Sequence, residues 1–325
     1  MNAAQSGAGR GWALAITAAA SFGVAGSFAT PLIHNGWSAG AVVSARVTIA
    51  FLVLLVPALR ALRGRWHLMR RNAGLIVSYG VVAVAACQLT YFQALATLDV
   101  GVALLLEYLG IIMVVAWLWV RYGQRPRALT IAGSVASIAG LVLVLNLVGG
   151  GVRVDAIGVL WGLLAAVGLA THYILSARPA YGLPPLALAA GGLAVGAVVL
   201  WTAGLARVMP LQAVWSDVVL ASTPVPWWVP ILGVSVISAS IAYVAAIGAS
   251  RALGSKLASF AGLAEVLFAI VFAWLLLDQL PGLVQLGGGV LIAGGVLLVR
   301  ADETHGPTDI PDAAPIRRVT ESGAA

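Results

Sequence analysis

Charged residues are scarce in this chain, at 9% of the total, where soluble domains carry about a quarter. That shortage excludes an ordinary globular core with a solvated surface. Cysteine occurs once, at Cys87, which excludes an intramolecular disulfide. Lysine also occurs once, at Lys256, so the basic residues are otherwise all arginine. The four histidines are scattered without metal-ligand spacing, and no glycine-rich phosphate loop precedes a lysine. No metal, cofactor, nucleotide site or catalytic set is therefore implied, and the chain does not read as an enzyme. Hydrophobic residues make up 61% of the chain and the mean hydropathy is +1.02. A spanning helix needs about 20 apolar residues, and runs of that kind recur with short connectors over nearly the whole length.

Ten such spans are predicted: 12–33, 38–59, 74–95, 100–120, 128–147, 156–177, 185–205, 229–250, 257–277 and 282–299. The expected fold class is an all-α polytopic membrane protein with lipid as its solvent. Residues 1–11 are expected to be a cytoplasmic N-terminus, and residues 301–325 a polar, disordered cytoplasmic tail. Arginine placement gives the orientation. With the N-terminus in the cytoplasm, fifteen basic residues fall on the cytoplasmic side, and Arg153 and Arg207 on the outer side with Asp99, Asp155, Asp217 and Asp278. This is a strong positive-inside bias, and it puts both termini in the cytoplasm. The net charge of +7 thus orients helices and does not point to nucleic acid. The arginine-over-lysine usage fits a GC-rich bacterial genome, hence a bacterial plasma (inner) membrane.

The chain also repeats. TIAGSVASIAGLVLV from Thr130 matches QLGGGVLIAGGVLLV from Gln285, an offset of 155, and Tyr91-Phe92-Gln93-Ala94 matches Tyr243-Val244-Ala245-Ala246 at an offset of 152. The halves are residues 12–147 and 156–299. Each holds five spans, an odd number, so the copies are expected to lie oppositely in the membrane as inverted repeats. That is a transporter architecture, with a site between the halves. A structural or assembly protein built by duplication is the alternative.

The segments ALLLEYLG in span four and LAEVLFAIVFAWLLLDQ in span nine, with glycine-rich spans five and ten, resemble those of EamA-type permeases of the drug/metabolite transporter superfamily. Span four is also similar to that of the threonine/homoserine exporter branch. The resemblance covers roughly residues 12–300 and implies efflux of a small metabolite, such as amino-acid export, driven by protons. Members of the family commonly carry proline just after the glycine of span four and at the matching place in span nine. This chain has Gly110-Ile111 and Glu265-Val266 there, so any bend must come from another source.

Polar residues inside the spans are the candidate site. At 1.5 Å per residue, Glu107 lies about 10 Å, Arg46 about 12 Å and Gln88 about 9–11 Å from the outer boundary. An Arg46–Glu107 pair is therefore geometrically open, with Gln88 and, one turn on, Tyr91 beside it. In the second half Glu265 lies about 12 Å and His172 about 7–9 Å from the inner boundary. Tyr243 is the repeat counterpart of Tyr91. A carboxylate within a bilayer costs roughly 2.5–3.5 kcal/mol on insertion scales, so each needs a reason to be there. Arg46 and Glu107 read either as a structural pair or as a functional one. His172 reads more readily as a hydrogen-bonded packing residue, and Glu265, without a basic partner at its level apart from His172, as the protonatable group.

The expected function is a secondary active transporter working by alternating access. Glu265 and Glu107 would exchange protons, Arg46 would hold Glu107 or a substrate carboxylate, and Gln88 and Tyr91 would orient the ligand. The expected partners are lipid, a small-molecule substrate and protons. Small-residue spacings such as Gly192/Gly196 and Gly158/Gly162 suit close helix packing and are compatible with a homodimer. The alternative class is an intramembrane sensor or another non-transport membrane protein.

Overall fold

The computed structural model describes residues 3–95, 100–144, 155–178, 180–277, 280 and 282–304. Asp99, Arg153, Asp278, the end of predicted span five and the tail beyond residue 304 lie outside them. Among the described residues, eight helical segments are long and apolar enough to cross a membrane, and two shorter apolar helices stand at 128–144 and 264–277. The latter fall within predicted spans five and nine.

The first half runs α1 (Ala3–Gly23), α2 (Ala25–His34), α3 (Ala39–Ala61), the short α4 (His67–Arg71), α5 (Ala73–Ser78), a π-helical stretch Tyr79–Ala86, α6 (Cys87–Leu95), α7 (Val100–Tyr108), α8 (Gly110–Tyr122) and α9 (Ala128–Val144). The second runs α10 (Ala156–Ala177), α11 (Pro185–Leu205), α12 (Trp228–Leu232), a second π-helical stretch Gly233–Ile241, α13 (Ala242–Gly262), α14 (Ala264–Leu277) and α15 (Leu283–Thr304). Between α11 and α12 a two-stranded antiparallel ribbon, β1 (Val218–Leu220) with β2 (Thr223–Val225), packs against α2, with Val218 buried beside Leu32 and Trp37.

Local chemistry sets several ends. Ser38 accepts from the Ala41 amide and starts α3, and Asp155 accepts from Gly158 and starts α10. Pro185 opens α11, where its missing N–H is harmless. Gly123, at φ +70°, closes α8 in the left-handed cap that suits glycine.

Two expectations are corrected. The connector drawn between predicted spans eight and nine, 251–256, is helical except at Gly254 (φ 79°, ψ 165°), where α13 kinks. A residue with a Cβ would be strained there. Residues 301–304, expected in the tail, are helical, because α15 continues to Thr304. Asp302 explains the extension: it is buried, accepts from the Thr130 hydroxyl and pairs with Lys256 at 3.8 Å.

Packing follows a reciprocal pattern. α9 lies along α15, and α3 along α11. α1 packs on α13 and on the second π stretch, while α10 packs on α6 and on the first. The α9–α15 seam is close enough that a Cβ on Gly140 would sit 2.5 Å from the Gly288 carbonyl, and one on Gly133 2.6 Å from the Gly295 carbonyl. At the 155 offset Gly133 corresponds to Gly288 and Gly140 to Gly295, so the two contacts are exchanged copies of one another.

Candidate functional site at the helix breaks

The membrane helices are interrupted where the candidate carboxylates sit. α7 gives way to α8 at Leu109, and α13 to α14 at Leu263, positions 154 apart. Each break is one tight turn: the Leu109 amide is shared between the Leu105 and Leu106 carbonyls, and Leu263 donates to Phe260. Neither contains proline. Glu107 lies just before α8 and Glu265 in the first turn of α14. The partial positive charge of a helix start offsets part of the cost of a carboxylate there.

Both glutamates are half-buried, as are Tyr108, Gln88 and Tyr91, whereas Arg46, His172 and Tyr243 are buried. Glu265 is within electrostatic reach of Glu107 and Arg46, and within side-chain hydrogen-bonding reach of Tyr108. Glu107 Oε1 accepts from the Cys87 thiol at 3.5 Å. Tyr91, Tyr108 and Tyr173 lie within electrostatic reach of both carboxylates.

The Arg46–Glu107 pair does not form in this structure. Arg46, buried on α3, instead donates from Nη2 to the Ser238 carbonyl at 2.7 Å. Ser238 lies in the second π stretch, whose wider turn loosens the ordinary backbone ladder and leaves carbonyls available to side chains. The Nε of Arg46 is buried and has no partner.

Tyr243 stands between this arginine and the rest of the cluster. It is within electrostatic reach of Arg46 and within side-chain reach of Gln88. Its ring packs edge-on to His172 at 5.7 Å. His172 Nδ1 is bonded to the Tyr79 hydroxyl at 2.9 Å, and Tyr173 packs edge-on to His172 at 5.1 Å. The seven residues singled out from the sequence are thus linked in one file by hydrogen bonds, ring contacts and electrostatic reach.

Sequence reasoning missed Cys87, Tyr79, Tyr108 and Tyr173, which complete the file. Tyr108 and Tyr173 adjoin Glu107 and His172 in the chain and were findable as polar groups on those helices. Tyr79 carried no such signal, because its partner is 93 residues away.

Among the described residues, no group of three His, Cys, Asp or Glu side chains is arranged to hold a metal ion. The half-buried carboxylate pair and the buried Arg46 are the candidate site. The chain belongs to the EamA-like transporter family, whose model matches it twice, over residues 9–146 and 156–301. A solved structure titled "Crystal structure of protein" superposes with a TM-score of 0.73 at 18% identity, covering 91% of this chain and 98% of its own. That likeness speaks to the fold. No curated protein matches the sequence.

Proposed function

We propose that the chain is a proton-coupled secondary transporter that exports a small carboxylate-bearing metabolite, such as an amino acid, by alternating access between two inverted five-helix halves. The exchanged glycine contacts of α9 and α15 and the paired breaks at Leu109 and Leu263 support the inverted arrangement. The arginine bias supports a plasma-membrane orientation with both termini in the cytoplasm. Resemblance to the threonine/homoserine exporter branch supports the amino-acid reading and the outward direction.

The observation that carries the proposal is the carboxylate pair. Glu107 and Glu265 come from opposite halves, lie within reach of one another, and are accompanied by an arginine that neither ties up in an ion pair. Two carboxylates so placed repel when both are charged, so a proton or a substrate ammonium on one of them relieves the pair. Arg46, with Nε unpartnered, is the group for the substrate carboxylate. Tyr243, Gln88 and Tyr91 lie within reach of these groups and orient the ligand. In the cycle Glu265 carries the proton, while Glu107, held by Cys87, is the wall against which substrate is positioned.

The test uses purified protein in liposomes loaded with a labelled amino-acid mixture, under an imposed pH gradient. Glu265→Gln is expected to abolish gradient-driven flux, leaving exchange at zero gradient. Wild-type flux with unchanged pH dependence in Glu265→Gln would remove Glu265 from the proton path. Glu107→Gln is expected to lose both modes.

A further inference from the structure

Arg251 is half-buried, and its side chain turns inward to bond the backbone of another segment. It lies on α13, three residues before the kink at Gly254. Its Nη1 donates to the Leu183 carbonyl, in the connection between α10 and α11. The other two groups of the guanidinium, Nε and Nη2, are buried and have no hydrogen-bond partner. Among the described residues no carboxylate pairs with Arg251; the ion pair found there is Lys256–Asp302.

Nε and Nη2 form one edge of the planar guanidinium, with two parallel N–H groups spaced to match the two oxygens of a carboxylate or phosphate. A lysine offers no such fork. The surroundings suit an anion. Tyr79 lies within electrostatic reach of Arg251, and Ser176, fully buried, lies within reach of Tyr79. The connection that holds Nη1 is gripped a second time, by Arg71 stacked 4.1 Å over the Tyr181 ring.

We propose that the Nε–Nη2 edge of Arg251 is a second oxyanion-binding site, at the arginine-rich end of the polar file. The file itself makes the connection. Arg46 lies within electrostatic reach of Tyr243, Tyr243 packs on His172, His172 is bonded to Tyr79, and Tyr79 lies within electrostatic reach of Arg251. The inference extends the transport reading, but its test contains no transport step, so the two stand or fall separately.

The experiment measures the unfolding midpoint of full-length protein in detergent, in sodium acetate, sodium phosphate or sodium chloride at equal ionic strength and pH. An Arg46→Gln background leaves Arg251 as the site being read. Acetate or phosphate is expected to raise the midpoint by several degrees over chloride. The larger of the two shifts identifies the oxyanion class. In the same background Arg251→Lys, which keeps the charge and can still reach Leu183, is expected to abolish the difference. Equal midpoints in all three salts, or a shift that survives Arg251→Lys, would overturn the proposal. Should Arg46→Gln fail to fold, the same salts are compared between wild type and Arg251→Lys. A smaller anion shift in the variant supports the site, and an equal one overturns it.

Discussion

Arg46 and Tyr79 show how single side chains hold this site. Arg46 spends one donor on a backbone carbonyl and keeps Nε unpartnered, so it is positioned before any ligand arrives. Arg46→Lys retains the charge without the fork. The expected outcome is a rise in KM for amino-acid flux of about tenfold, or ~1.4 kcal/mol, with kcat changed less; equal losses in both would point to a structural role. Tyr79→Phe leaves His172 Nδ1 buried without its partner. That costs about 1–3 kcal/mol, visible as a lower unfolding midpoint in detergent. Replacing both partners, as Tyr79→Phe with His172→Phe, is expected to recover part of the loss, because no buried polar group is then left unmatched. A double variant as unstable as the sum of the singles would argue against the bond. Sequence position indicated where Glu107, Arg46 and Gln88 share a depth. It did not indicate that a thiol and a backbone carbonyl, not each other, would be the partners of Glu107 and Arg46.

Helices in this protein are defined as much by their interruptions as by their apolar runs. The breaks at Leu109 and Leu263 arise without proline, from tight turns that leave the carboxylates beside the starts of α8 and α14. The two π-helical stretches, Tyr79–Ala86 and Gly233–Ile241, fall at nearly matched places in the repeats. Neither was legible in the sequence, since both read as uninterrupted apolar helix and a π turn arises from packing against neighbours. The glycine seam was legible as two matching segments, because backbone approach requires the missing Cβ. Gly140→Ala and Gly288→Ala each bring a Cβ to about 2.5 Å from the other helix's carbonyl. Each is expected to lower the unfolding midpoint by several degrees, in the 1–3 kcal/mol range of overpacking. The double variant is expected to fall short of the sum, since once the helices have moved apart the second Cβ has room. Additive losses would mean that the two sites yield independently.

For the whole molecule, duplication and inversion predict opposite exposures for equivalent loops. In a Cys87→Ser background, a cysteine at Gln124 is expected to react with a membrane-impermeant thiol reagent only from the cytoplasmic face, and one at Gly282 only from the outer face. Labelling of both from one side would end the inverted reading. The two halves are also joined at the arginine-rich end, where Thr130 and Lys256 meet Asp302. Asp302→Ala leaves the Thr130 hydroxyl buried without its acceptor and is expected to cost about 1–3 kcal/mol. The readout is the unfolding midpoint, which is expected to fall without a change in the orientation assay.

Sequence alone determined the membrane class, the apolar spans, the arginine bias and the duplicated segments. Each of these depends only on composition, on period or on residues near in the chain, and hydrocarbon leaves a backbone little choice but helix. Tertiary structure decided which polar atoms meet. Arg46 found Ser238 across 192 residues, Tyr79 found His172 across 93, and Arg251 found Leu183 across 68. It also decided that Glu107 and Glu265 would lie within electrostatic reach of each other while Arg46 and Arg251 each donated to a backbone carbonyl. A side chain's partner in a bundle depends on helix rotation and on the local widening of a turn, and both are fixed by packing between segments far apart in the chain.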